Sequence, residues 1–451
     1  MTGYDCFWTR KGTKTHEKPL LFNQWSNPMT WTMWAALIVV CGTVYGLLKR
    51  WETRLVLLAS GFLMCCLSLD PYAAFQQFDK SMTSSSLIIV ICSAMGFAGV
   101  MNITKCDLHL VSLLTKPLNK LGIFLLPCCM IVTGIVSIAI SSLAGMCAAI
   151  GPTICALMIR AGFRPAMAAA TVVASTLPSF WSPGSSHNGF VAKLADWPIM
   201  EYLTYTGTRT LLISIACIIF MVVACLIFGD FKKDGFDNDG VHDAANKVEL
   251  PANPNLLFAF APLLPVVLLF AVAVWLPQFK ISVATAMLVG VMYTLIVTRA
   301  NPAEITRKFF DGMGRGYGNI LGLIIAAGVF AAGLRSCGVI EVFVEALKGS
   351  SELAKLGAAV GPYVLGVMTG SGDAAAFAFN EAVTPHAEAF GLTIPDLGYL
   401  ASCAATFGRV SSPLAAGVIV ISGIAGVSPI EVIKRSAPVQ ICTLAFLFFI
   451  S

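Results

Sequence analysis

The chain has 451 residues, 57% of them hydrophobic and 12% charged, with a formal net charge of +5 and a mean hydropathy of +0.81. A soluble globular domain carries roughly 25% charged residues, so this composition excludes one and predicts an integral membrane protein. The positive balance does not imply nucleic acid, because the basic residues fall in short loops between apolar runs, where they set topology. The 15 cysteines show no metal-ligand or disulfide spacing and read as small apolar packers.

In chain order, residues 1–30 are polar and aromatic, with Arg10, Lys11, Lys14 and Lys18, and read as an N-terminal extension that is upstream of the native start or disordered. Met29 and Met33 lie just before or within the first apolar run. Several runs approach the roughly 20 residues that cross a bilayer. Spans are predicted at about 31–49, 54–70 and 84–103, followed by an amphipathic stretch at 105–119. Two apolar arms, about 121–139 and 144–159, meet at Ser141-Ser142. A segment from about 165 to 195 is interrupted by Pro178, Pro183 and Gly184, and a last span covers about 207–228. A polar linker at 229–255, predicted to be cytoplasmic, carries Lys232, Lys233 and six acids.

The second half, 256–451, reads the same way. Spans fall at about 258–276, 282–298 and 319–337, with an amphipathic stretch at 340–353. Arms at 355–369 and 374–389 meet at Thr369-Gly370-Ser371-Gly372. A broken segment covers 395–425, and the last span 434–450. Ser141, Pro165 and Pro183 each have a counterpart 230 residues on, at Ser371, Pro395 and Pro413. Gly162 and Gly391 read as helix stops.

A duplicated apolar unit with Ser/Gly/Pro breaks at matching places is the mark of a secondary transporter built from two repeats. Reading each pair of arms as a re-entrant hairpin gives five full spans per repeat, an odd number that inverts the second against the first. It also places 17 of the 29 basic residues on one side, as the positive-inside rule requires. The expected fold is therefore all-α and polytopic. It has two inverted repeats (31–228 and 256–451) of about five transmembrane helices each, with one re-entrant hairpin and one broken helix per repeat.

Breaks at membrane depth expose helix ends. Free N–H groups at half-helix N-termini bind carboxylates, and carbonyls and hydroxyls bind cations or protons. Ser141, Ser142, Ser182, Ser185, His187, Asn188, Thr369, Ser371, Arg409, Ser411 and Ser412 are the candidate substrate ligands. Serine and glycine also let membrane helices pack closely, but four clusters at repeat-matched positions favour a site. Arg409 lies deep in an apolar context, where an unpaired charge is costly, and its planar fork fits a carboxylate. Its structural alternative is a pair with Asp373 or Glu381. Those two acids are candidate coupling groups for a proton or cation, or else ion-pair partners. His187 binds anions, titrates, or is a hydrogen-bonded structural group. No metal site or cofactor is expected, and a coupling ion, Na+ or H+, is left open. An enzyme would need a nucleophile–base pair with a third member. His187 beside Ser185 and Ser186 lacks one, so no enzymatic activity is expected.

The run Ala326-Ala327-Gly328-Val329-Phe330-Ala331-Ala332-Gly333-Leu334 resembles the DcuC family of anaerobic C4-dicarboxylate carriers. So do Thr369-Gly370-Ser371-Gly372 with Ala376-Phe377, Gly408-Arg409 leading to Ser412-Pro413, and Ser428-Pro429-Ile430-Glu431-Val432-Ile433-Lys434-Arg435. The similarity is dense over 320–440, weaker over 84–228, and does not cover 1–30. It implies a bacterial inner-membrane carrier that exchanges or exports succinate, fumarate, malate or aspartate. It also implies the ion-transporter superfamily architecture and a homodimer. Two features depart from the family pattern. Asp373 stands where a neutral amide is expected, and the first break reads Ser182-Pro183-Gly184-Ser185-Ser186-His187-Asn188. A carrier for another organic anion, such as a monocarboxylate, sugar acid or amino acid, is the alternative.

Overall fold

A computed structural model describes residues 31–49, 51–115, 122–140, 142–232, 251, 253–275, 281–347 and 350–451. The expected N-terminal extension, Ser141 and most of the linker lie outside the described residues. Among the described residues the chain is helical, and its one β-bridge pairs Phe163 with Phe231.

The first half contains α1 (Trp31–Leu48), α2 (Thr53–Leu67), α3 (Pro71–Met82), α4 (Ser85–Thr104) and α5 (Cys106–Thr115). Next come α6 (Leu125–Ala139), α7 (Leu143–Arg160), α8 (Pro165–Ala174), a 3-10 turn at Leu177–Trp181, α9 (Ser186–Leu194) and α10 (Ile199–Phe228). The second half begins with α11 (Leu256–Phe260), α12 (Leu264–Trp275), α13 (Val283–Thr298) and α14 (Pro302–Arg315), then a π turn at Gly316–Leu321. It continues with α15 (Gly322–Ser336), α16 (Val339–Leu347), α17 (Ser351–Thr369), α18 (Gly372–Ala382) and a 3-10 turn at Thr384–Phe390. It ends with α19 (Ile394–Val410), α20 (Ala416–Ala425) and α21 (Pro429–Ile450). Helix starts recur at a constant interval: Thr53 and Val283, Ser186 and Ala416, and Ile199 and Pro429 are each 230 residues apart.

Local chemistry sets the boundaries. Asp70 caps α3 and Asn301 caps α14, each followed by a proline at the first helical position, where the missing N–H is not needed. Neither helix is among the segments predicted from sequence. α14 buries Ile305, Phe309 and Gly312, one stripe at helical spacing, against α4.

Among the described residues, four helical stretches are long and apolar enough to cross a membrane: Leu87–Thr104, Ile199–Phe228, Pro302–Ser336 and Pro429–Ile450. The spans expected at 54–70, 258–276 and 282–298 are shorter: α2 has 15 residues, α12 has 12 and α13 has 16. At 1.5 Å per residue each rises less than the roughly 30 Å of a hydrocarbon core.

The halves interlock by exchange. α2 and α3 pack on α15, while α13 and α14 pack on α4. α8 packs on α20, and α19 packs on α9. Two of these seams depend on glycine. A Cβ at Gly333 would lie 2.6 Å from the Gly61 carbonyl oxygen, and one at Gly312 would lie 2.3 Å from that of Met95. Close backbone approach of this kind is how membrane helices gain dispersion contact without a hydrophobic driving force. Ten of the 14 described cysteines are buried, and none forms a disulfide, as expected of apolar packers.

Candidate functional site

Two helix pairs end in small polar tips. α6 and α7 meet through Ile140 and Ser142, with Ser142 extended as the N-cap of α7 and its Oγ accepting the Gly145 N–H at 3.3 Å. α17 stops at Gly370, whose φ of +70° is left-handed. Ser371 then caps α18, its Oγ accepting the Ala374 N–H at 3.3 Å. A Cβ on Gly370 would lie 2.8 Å from the Leu414 carbonyl carbon, so this tip presses on the second break.

Two interruptions face the tips. Between α8 and α9, the 3-10 turn and Ser182-Pro183-Gly184 carry the chain to Ser185, the N-cap of α9. Between α19 and α20, residues 411–415 do the same. Neither α9 nor α20 has a side-chain cap, which leaves first-turn N–H groups available to a ligand.

All four helix starts reach one cavity of about 800 Å³. Ser142–Gly145 of α7, Gly184–His187 of α9, Gly370–Asp373 of α18 and Ala416–Gly417 of α20 line its wall. Each helix N-terminus carries a partial positive charge of about half a unit, so the arrangement concentrates positive potential without an ion. Arg409 adds a full charge. Its Nη1 lies 3.4 Å from Asp373 Oδ1, and His187 Nε2 lies 2.7 Å from the same oxygen. Phe180 and Phe377 flank the imidazole at ring distances of 6.0 and 5.3 Å. His187 Nδ1 and Arg409 Nε are buried with no hydrogen-bond partner among the described residues.

The expected candidates separate into two groups. Ser142, Ser182, Ser185, His187, Ser371, Asp373 and Arg409 line the cavity. Asn188, Thr369, Ser411, Ser412 and Glu381 do not, and each has a local reason. Asn188 Nδ2 donates to the carbonyls of Phe180 and Ser182 at 2.8 and 3.0 Å, tying the break together. Thr369 Oγ1 donates to the Leu365 carbonyl and accepts the Ser371 N–H. Ser411 donates to the Phe407 carbonyl, and Ser412 Oγ accepts the Leu414 N–H. Glu381 lies two turns along α18 from Asp373 and accepts from Gln77 Nε2 of α3 at 3.4 Å. Ser141 is outside the described residues.

Asn102, Asp107, Lys308 and Arg315 also line the cavity and were not anticipated. The two cations read from sequence as topology-setting loop charges. Their seven-residue spacing on one face of an amphipathic helix was the available signal. Asp107 is in α5, a 10-residue helix too short to span a bilayer. Burial pushes its carboxyl up to about 6.

Comparison with known proteins identifies the family. Residues 68–451 match the family described as C4-dicarboxylate anaerobic carrier, DcuC. A Haemophilus influenzae protein named only as an uncharacterized transporter is 40% identical over 273 residues, covering 59% of this chain and 98% of its own. The anaerobic C4-dicarboxylate transporter DcuC of Escherichia coli K12 is 28% identical over 375 residues, covering 79% of this chain and 77% of its own. Among solved structures, the Alcanivorax borkumensis YdaH transporter matches with a TM-score of 0.56 at 14% identity, over 83% of this chain and 86% of that one. That likeness speaks to fold alone. Taken with the apolar helices, the family match makes this chain a multi-pass membrane transporter rather than an enzyme, and it belongs to the DcuC family of C4-dicarboxylate carriers.

Proposed function

We propose that the chain is a secondary active carrier for succinate, fumarate, malate or aspartate. It works by exchange or succinate efflux across a bacterial inner membrane. The observation that carries this reading is the convergence of four helix N-termini, Arg409 and His187 on one cavity. A small dianion placed there would receive backbone N–H donors at both carboxylates and a guanidinium fork at one of them. The serines at the wall, Ser142, Ser182, Ser185 and Ser371, would add hydroxyl donors.

The constant 230-residue interval and the exchanged packing of the halves support two repeats related by inversion. In this reading α6–α7 and α17–α18 are re-entrant hairpins, and α8–α9 and α19–α20 are broken spans. Each hairpin and broken helix moves as a unit against the remaining helices, opening the cavity to one side and then the other. A homodimer would hold the static helices in place.

One observation favours a second reading. The Arg409–Asp373 pair gives the cavity wall both charge signs, which also suits a zwitterionic amino acid. Counterflow in proteoliposomes tests both. With succinate inside, labelled fumarate should accumulate without a sodium requirement. Competition by succinate, malate and monoamino acids then ranks the substrates. Absence of dicarboxylate counterflow, with uptake of a neutral amino acid, would replace the first reading by the second.

A further inference from the structure

The cavity wall itself supplies an anion. Asp373 Oδ1 accepts from His187 at 2.7 Å and faces Arg409 at 3.4 Å, so one carboxylate oxygen engages both of these side chains of the wall. Asp373 is in the first turn of α18, at one of the four converging helix N-termini, and its side chain is 36% exposed, towards the cavity. Those are the donors that a substrate carboxylate would use. Adding a dianion beside an ionised Asp373 would set its nearer carboxylate against Asp373 in competition for the one guanidinium at this end of the cavity, with Lys308 and Arg315 elsewhere on the wall. Like-charge crowding of this kind drives one carboxyl to take a proton.

Resting on the proposed dicarboxylate reading, we propose that Asp373 is a tethered competitor for the substrate's carboxylate. Ionised, it occupies Arg409 and His187; when a dicarboxylate takes its place, Asp373 accepts one proton from water and turns aside as the neutral acid. Protonation adds no other bond and needs no other co-reactant. The competitor gives Arg409 a charge partner at 3.4 Å until substrate arrives, and it links each loading event to one proton.

The neighbours of Asp373 bound this assignment. α18 packs against α9, α15, α17 and α19. From these, His187 and Arg409 face Asp373 directly, and α17 contributes Tyr363, which bonds towards Ser411. Lys193 of α9 and Arg335 of α15 face Glu381 instead, with His386 of the following turn beside Arg335. Elsewhere on the cavity wall stand Asp107, Lys308 and Arg315. Of these, Asp107 is the other carboxyl, pushed up to about 6 by burial.

The test measures labelled fumarate binding to the purified full chain between about pH 6.5 and 8.5, where fumarate stays a dianion. In the unaltered protein the Kd should rise about tenfold per pH unit, the slope of one linked proton. Asp373→Asn should bind about tenfold more tightly at the alkaline end, with a flat pH profile. Asp107→Asn should keep the slope. A slope that survives in Asp373→Asn assigns the proton to another group and overturns the proposal, as does weaker binding at about pH 8.5 by a well-folded Asp373→Asn protein. Should that variant not insert, a dye in weak buffer reads the unaltered protein directly: about one proton taken up per fumarate bound, with no uptake overturning the proposal. Failure of the unaltered protein to bind fumarate at any pH would instead remove the dicarboxylate reading itself.

Discussion

At the scale of single residues, the proposed function makes Arg409 the residue that decides the affinity of the cavity. Its guanidinium is planar and forked, and lysine at the same place would keep the charge while losing the two-point contact. Arg409→Lys should lower fumarate transport by roughly ten- to a hundredfold at equal membrane abundance, one to two multiples of 1.4 kcal/mol. Transport at the unaltered rate would take Arg409 out of the site. Arg409 was legible from sequence because a charge in an apolar run has few explanations. Asn188, Thr369, Ser411 and Ser412 show the limit of that reading. They are the residue types a carboxylate would need, but each spends its donor or acceptor on nearby backbone. Which way a short polar side chain turns within a break depends on the geometry of the break, which residue types do not encode.

At the scale of elements, the tip between α17 and α18 depends on one backbone conformation. Gly370 holds φ at +70°, and a Cβ there would also press on Leu414. Gly370→Ala should cost about 1–3 kcal/mol, read as a lower melting temperature in detergent, and should displace the Ser371 cap from the cavity. A second element-level contact lies where α10, α21 and the α7–α8 turn meet. Arg435 Nε lies 2.5 Å from Asp230 Oδ2, with Asp230 fully buried, and the Arg164 N–H donates to the Asp230 carbonyl. Asp230→Asn removes the buried charge partner and leaves Arg435 the exposed Glu431 at 3.0 Å, so it should cost about 1.5–3 kcal/mol. An unchanged melting temperature would contradict this. The helix pairs and broken segments were legible because Ser, Gly and Pro interrupt apolar runs at repeated places. α3 and α14 were missed because α3 is nearly as polar as a loop and α14 carries three cations, Arg307, Lys308 and Arg315. Their caps, Asp70-Pro71 and Asn301-Pro302, were the readable signal.

At the scale of the whole molecule, the 230-residue interval found in sequence anchors reappears in helix starts from α2 and α13 to α10 and α21. Sequence could not give the exchange of partners between halves, since nothing in one chain states which apolar face meets which. That exchange brings the four helix N-termini together, and with them the positive potential that a dicarboxylate needs. The central claim is that a dicarboxylate binds where these four helices begin. A cryo-electron microscopy map of the protein with fumarate tests it most directly. The expected density is a small dianion between Gly370–Asp373, Gly184–His187 and Ala416–Gly417, one carboxylate on Arg409 and Asp373 turned away. Fumarate density elsewhere, with the Asp373–Arg409 pair intact and the cavity unoccupied, would contradict the account.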